Sequence, residues 1–185
     1  MPDIKQGGDT PFLTDVKTLR ERARQHIQAG AVTSNYGADP NVVCKVLNEA
    51  LATEIVCVLR YKRHYFMAQG IASDSVKTEF AEHATQEQEH ADRIAERIVQ
   101  LGGEPDLNPD TLTKRSHAEY VEGKSLVDML REDLVAERIA IESYREIAVW
   151  LHGKDSTTKR MIEEILAVEE EHADDINSLL AGMKD

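Results

Sequence analysis

The chain has 185 residues, enough to bury a core without disulfide staples and about right for one domain or one domain with an extension. Acidic residues outnumber basic ones 34 to 22, for a net charge of −12; this disfavours a phosphate-tracking surface, so nucleic acid is not an expected partner, and it favours attraction of cations. No run approaches the ~18 apolar residues of a membrane span, and the start lacks the basic and apolar stretches of a secretory signal, so a soluble cytoplasmic protein is expected.

Residues 1–13 carry Pro2, Gly7, Gly8 and Pro11, the composition of a flexible lead-in. A short helical pattern follows over residues 15–29. Gly30, Gly37 and Asp39-Pro40 close this extension, with Pro40 placed for the first turn of the next helix. Four long helical patterns then cover residues 40–69, 74–101, 125–151 and 156–180, with stops at Gly70, at Gly102-Gly103 and before Gly153. Residues 104–123 form a crossing segment with Pro105 and Pro109 and a short helix expected near 114–120. Strand patterns are absent. The expected division is an N-terminal extension over 1–39 and an all-α bundle over 40–185.

A core-facing helical stripe repeats at alternating steps of three and four. On the first long helix that stripe is Leu47, Leu51, Glu54, Val58, Tyr61, Tyr65. On the second it is Val76, Phe80, His83, Glu87, His90, Ile94, Leu101. The third gives Leu130, Leu134, Glu137, Ile141, Tyr144, Ala148, and the fourth Ile162, Ile165, Glu169, His172, Ile176, Leu179. Each stripe is interrupted near mid-helix by an acid. The segments EQEHAD (from Glu87) and EEEHAD (from Glu169) nearly repeat, Glu54 precedes Glu87 by 33 positions, and Glu137 precedes Glu169 by 32. Two related halves, short turns within each half and a longer link between them predict a four-helix bundle with one long crossover between its second and third long helices.

Burying a carboxylate without a partner costs several kcal/mol, and gathering four adds repulsion. Lys and Arg are absent from the stripes, where the only cationic side chains would be protonated histidines, and something positive must sit among the acids. Four carboxylates and two imidazoles match a pair of divalent transition-metal ions. Residues three apart lie on one helix face, so a Glu-x-x-His pair can address one metal while its Glu reaches the other. One Glu-x-x-His is weak evidence, and helix 156–180 is acidic enough to contain it by chance. Two copies in register with two further stripe acids make the metal reading the stronger one. The constellation is the recurring pattern of di-iron carboxylate bundles.

Over residues 44–180 the chain resembles the bacterioferritins and other ferritin-like proteins. The run LNEALATEIVCVLRY, Leu47 to Tyr61, is similar to the bacterioferritin helix that carries the first Glu and a Tyr seven residues on. The resemblance implies Glu54 as a terminal metal ligand with Tyr61 as its close neighbour. It further implies Glu87 as a bridging ligand with His90, Glu137 in DMLREDLVAERIAIE as the second terminal carboxylate, and Glu169 with His172 completing the set. Bacterioferritins place a haem-gripping Met directly after the bridging Glu; here that position is Gln88, so no haem is expected. Only 13 residues follow His172, too few for the fifth helix of 24-subunit ferritins. With an N-terminal helix added, the outline looks more like Dps-type mini-ferritins of 12 subunits.

The implied activity is ferroxidase chemistry: two irons per subunit, Fe(II) oxidised by O2 or H2O2, and Fe(III) stored in a homo-oligomeric shell of 12 subunits, with 24 as the alternative. Competing readings are a rubrerythrin-like peroxidase, whose usual Cys-x-x-Cys domain is missing, another dimetal oxidoreductase, or a DNA-protecting Dps-type protein, for which the N-terminal charges are too mixed. Tyr61 is either a hydrogen-bond or electron donor at the site or an amphipathic core residue. Asp133 either orients a ligand histidine or is a surface acid. His83 is expected to be a core histidine rather than an added metal contact. His26 and His64 carry no motif, and Trp150 is expected to pack at a helix end or an interface. Cys44 and Cys57 fall on one predicted helix, about 20 Å apart at ~1.5 Å per residue, beyond disulfide reach and expected as reduced, packing thiols.

Overall fold

The computed structural model describes residues 14–70 and 73–183. The lead-in expected over residues 1–13, with Asp3, Lys5 and Asp9, lies outside the described residues. Two units can be distinguished, Met1–Tyr36 and Gly37–Asp185.

In the first unit, α1 (Val16–Ala23) begins at Asp15, whose carboxylate accepts from the Thr18 N–H at 3.0 Å. The single helix expected over 15–29 is instead α1 followed by a one-turn 3-10 segment, Ile27–Ala29. The break falls at His26, whose φ of 50° is left-handed. Neither piece buries a residue, so no packing holds the chain in one continuous helix.

The second unit carries the four long helices. Asp39 caps α2 (Pro40–Met67) by accepting from the Asn41 N–H at 2.9 Å, and Pro40 sits in the first turn, where a missing N–H costs nothing. The next helix, α3 (Ser73–Gln100), is followed by Gly102 at φ 82°. Gly103 must then stay bare, because a Cβ there would lie 2.6 Å from Cys44 Sγ. After the crossing segment, Ser125 caps α5 (Leu126–Leu151) and Asp155 caps α6 (Ser156–Gly182). Asp155 also pairs with the buried Arg97 of α3 at 3.0 Å, tying the start of α6 to the end of α3. Along the bundle α2 packs on α3 and α5 on α6, and α2–α5 and α3–α6 contacts close it.

The short helix of the crossing segment, α4 (Leu112–Arg115), lies earlier than the expected 114–120. From Ser116 the chain leaves the helix because its hydrogen bonds go to α2. The His117 N–H donates to Thr53 Oγ1 at 2.9 Å, and Arg60 donates to the Glu119 carbonyl at 3.1 Å. Upstream, Asn48 of α2 accepts from the Asp106 N–H at 2.7 Å, and Arg115 donates to the carbonyls of Asn48 and Asp106. The crossover is therefore fastened along α2.

Stripe positions on α2 and α5 differ from expectation. Tyr65 is 37% exposed, and His64 takes the inward place because Asp133 and two crossover carbonyls receive its ring. On α5, Leu134 and Ile141 are half-buried while Asp133 and Ala140 turn inward. On one side of the acids, Leu47, Leu51, Ile94, Ile98, Ile162 and Ile165 fill the core; on the other are Tyr61, Val76, Phe80, Leu130 and Ile176. Each such side chain contributes about 1.5–3 kcal/mol, and this apolar packing above and below holds the acids at one level. Trp150, near the end of α5, lies under the Lys154 ammonium, 4.7 Å from its ring centre. Among the described residues, no helix is long and apolar enough to cross a membrane.

Candidate metal centre

The six sequence-selected residues converge from four helices: Glu54 from α2, Glu87 and His90 from α3, Glu137 from α5, Glu169 and His172 from α6. Each is buried. They form two overlapping quartets, Glu54/Glu87/His90/Glu169 and Glu87/Glu137/Glu169/His172, whose ligand atoms lie within 4.8 Å of one another. Glu87 and Glu169 belong to both. Glu87 turns Oε2 toward His90 Nδ1 at 3.8 Å and Oε1 toward His172 Nδ1 at 3.5 Å. Glu169 does the reverse, with Oε1 3.0 Å from His90 and Oε2 3.5 Å from His172. Glu54 Oε2 faces His90 at 3.5 Å, and Glu137 Oε2 faces His172 at 3.8 Å. The two halves of the sequence thus meet as near twofold-related copies of one ligand set.

The outer oxygens of the end carboxylates are held by tyrosines. Tyr61 donates to Glu137 Oε1, and Tyr144 donates to Glu54 Oε1. Tyr61 therefore serves the carboxylate of the opposite half, not its expected neighbour Glu54. Tyr144 was legible as the counterpart of Tyr61, since each lies seven residues after an acid, but only as a core position. His172 Nε2 donates to Gln86 Oε1 at 2.7 Å, which turns Nδ1 toward the acids; no sequence signal pointed to Gln86. Asp133 is neither a surface acid nor a partner of a site histidine. It is fully buried against Arg60 and His64, at 2.7 and 2.8 Å. His83 makes contacts through both ring nitrogens, 3.2 Å from Tyr61 Oη and 3.2 Å from Glu79 Oε1, and stacks on His172 at 3.9 Å between ring centres.

Buried side-chain nitrogens and oxygens without a hydrogen bond number seven among the described residues: Glu54 Oε2, Glu87 Oε1, His90 Nδ1, Glu137 Oε2, both oxygens of Glu169, and His172 Nδ1. All seven belong to the six residues. Even the 3.0 Å approach of His90 to Glu169 is close without being aligned for a hydrogen bond. Such a cluster costs several kcal/mol unless a cation occupies its centre. Six lone-pair groups, four oxygen and two nitrogen, fit two divalent transition-metal ions.

Protons compete for the same atoms. Burial opposes charge on both imidazoles, yet the surrounding carboxylates outweigh it and push His90 and His172 up to about 12. Burial, then the charge of Glu87, raises Glu169 to about 8. Burial and the neighbouring Glu87 and Glu169 charges hold Glu54 well above the carboxylate range. Glu87 goes the other way: burial opposes its charge, but Glu54, His172 and His90 overcome that penalty and lower it. Burial holds His83 down at about 4, so that ring stays neutral.

A family description, the ferritin-like domain, matches residues 44–185. The chain belongs to the ferritin-like family. It is 30% identical over 165 residues to a nutrient stress-induced DNA-binding protein of Synechococcus sp., spanning 82% of this chain and 94% of that protein. It is 28% identical to a bacterioferritin of Desulfovibrio desulfuricans, over 70% of this chain and 69% of that one. Among solved structures, the dodecameric thioferritin of Bacteroides fragilis, a bacterioferritin-related protein, superimposes with a TM-score of 0.76 at 34% identity, covering 80% of this chain and 89% of that one. The ferritin-like bundle, with its crossover between α3 and α5, is thus shared with bacterioferritin-type and Dps-type relatives alike.

Proposed function

We propose that this ferritin-like chain is a ferroxidase subunit that binds two Fe(II) ions as substrate between Glu54, Glu87, His90, Glu137, Glu169 and His172. The observation that carries the proposal is the set of seven buried, partnerless ligand atoms, all on these six side chains. Glu87 and Glu169, each facing both histidines, are the bridging groups; Glu54 and Glu137 are the end groups. Tyr61 and Tyr144 act as positioning residues, each occupying one oxygen of an end carboxylate so that the other points inward.

Each Fe(II) gives up one electron. A pair supplies two electrons, which with two protons convert O2 to H2O2, or H2O2 to two waters. Oxygen-rich ligation favours Fe(III) and so favours the oxidation. The product Fe(III) passes to a mineral store within a homo-oligomeric shell. A shell of 12 subunits is the reading supported by the dodecameric Bacteroides relative, with 24 the alternative. Haem stays outside the proposal because Gln88, whose amide hydrogen-bonds Asp92 at 2.9 Å, has no thioether to offer. DNA also stays outside it, although one relative is named for DNA binding, because the net charge of −12 repels phosphate. A cytoplasmic setting is supported by two free, buried thiols, Cys44 and Cys57.

The test is to load metal-free protein with Fe(II) anaerobically, add O2 or H2O2, and count irons oxidised per chain. Two fast oxidations followed by a growing mineral are expected. A count that stops at two overturns storage, and the absence of a fast phase overturns the ferroxidase assignment itself.

A further inference from the structure

The twofold relation of the ligand set holds for the carboxylates and the tyrosines and fails at the outer edges of the two imidazoles. Each end carboxylate has its tyrosine, and each bridging carboxylate faces both histidines. His172 has more. Its Nε2 donates to Gln86 Oε1 of α3 at 2.7 Å, and His83 of α3 stacks on its ring at 3.9 Å between centres. Among the described residues, the polar contacts of His90 all run through Nδ1, to Glu54, Glu87 and Glu169.

The sequence repeat accounts for the difference. Aligning EQEHAD with EEEHAD sets Gln86 opposite Val168 and His83 opposite Ile165. Valine and isoleucine side chains carry no acceptor, so these two positions of α6 cannot return to His90 what α3 gives to His172. An imidazole that binds an ion through Nδ1 keeps its proton on Nε2. For His172 an amide oxygen already waits for that proton; for His90, whose side chain is 5% exposed, the proton is left to solvent. An outer partner fixes the tautomer and the ring direction and makes the ligating nitrogen a better donor, an effect of about 10- to 100-fold in metal affinity.

We propose that Gln86 is a positioning residue that makes the two metal positions unequal. The position among Glu87, Glu137, Glu169 and His172 fills first; the one among Glu54, Glu87, His90 and Glu169 fills second and exchanges faster. That two positions exist rests on the proposed function, whereas their order rests on Gln86. The oxidation needs an electron from each of two irons, so the weaker position sets how the fast phase depends on Fe(II) concentration.

Zinc(II), which has no redox chemistry, serves as the probe. Full-length metal-free protein is titrated by calorimetry and crystallised with one and with two equivalents of Zn(II) per chain for anomalous scattering. Two ions per chain are expected at saturation, and at one equivalent a peak beside His172 with little beside His90. Gln86→Leu is expected to bind its first ion about 10- to 100-fold more weakly and to show one-equivalent peaks of similar height at both positions. Gln86→Glu, which keeps an acceptor oxygen, is expected to keep the wild-type order, and circular dichroism checks that both variants stay helical. A merely structural role for Gln86 would weaken both ions alike in Gln86→Leu and leave their order intact, and that outcome overturns the proposal. Wild-type peaks of equal height at one equivalent, or a taller one beside His90, also overturn it while leaving the two-metal reading standing. One ion or none at saturating Zn(II) overturns the two-metal reading itself.

Discussion

The bundle buries charge in two places, and the two differ in whether the charge is satisfied. At the crossover, Asp133 is shared by Arg60 Nε at 2.7 Å and His64 Nδ1 at 2.8 Å. Arg60 also donates to the Glu119 carbonyl at 3.1 Å and to Cys57 Sγ at 3.6 Å, while His64 Nε2 meets the Val121 and Glu122 carbonyls. One turn away, Glu137 and its five companions leave seven buried atoms without a hydrogen bond. The same burial therefore has opposite meanings. A closed network fastens a long connection to α2, and an open one leaves unpartnered the atoms that the proposed ions would take.

The sharpest way to break the comparison is to remove a residue from each side. Glu87→Ala/His90→Ala is expected to reduce Fe(II) oxidation to the rate in buffer alone while leaving the metal-free fold intact, because Glu87 Oε1 and His90 Nδ1 make no hydrogen bond that the fold would lose. Stopped-flow absorbance with circular dichroism checks both halves. Asp133→Ala is expected to do the converse. It strands Arg60 in the interior at a cost of about 3–5 kcal/mol, visible in denaturant unfolding, while metal stoichiometry stays unchanged.

The tyrosines join the two classes, being fully satisfied themselves but acting on open carboxylates. Tyr61→Phe and Tyr144→Phe are each expected to weaken metal binding about 10- to 100-fold, by similar amounts because each serves one half of the site. A large inequality in competitive titrations would show that the two carboxylate ends are not equivalent.

A further expected effect is on pH. Without metal, His90 and His172 at about 12 and Glu169 at about 8 all hold protons at neutral pH. Divalent ions need those same atoms bare, so binding must release protons and apparent affinity must rise with pH. Between pH 6 and 8 the expected gain is about tenfold per unit for each proton released. Calorimetry in buffers of different ionisation enthalpy measures the release; affinity falling as pH rises would contradict the assigned protonation.

Much of this arrangement was readable in one dimension. Stripes of period three and four located the four long helices, and acids interrupting each stripe located the six side chains, because a buried charge is rare enough to be informative. Tyr144 was half-visible, as the counterpart of Tyr61 in the repeat, yet the swap that sends each tyrosine to the other half's carboxylate was not. That swap depends on α2 and α5 facing each other across the bundle. Gln86 and Asp133 were beyond reach for a similar reason. Gln86 sits just off its stripe and Asp133 one turn before Glu137, and neither spacing says which partner lies opposite.

The sequence alone determined the helical class, the twofold repeat and the identity of the six ligand-type residues, since helix periodicity and the cost of buried charge act within a single segment. Tertiary structure decided which atoms meet. It set Glu87 and Glu169 as the shared pair, bound Asp133 to Arg60 and His64, and sent Tyr61 and Tyr144 each to the other half's carboxylate. Those outcomes rest on contacts between helices remote in the chain, and side-chain direction across such contacts is fixed only when the apolar faces on either side of the acids have packed.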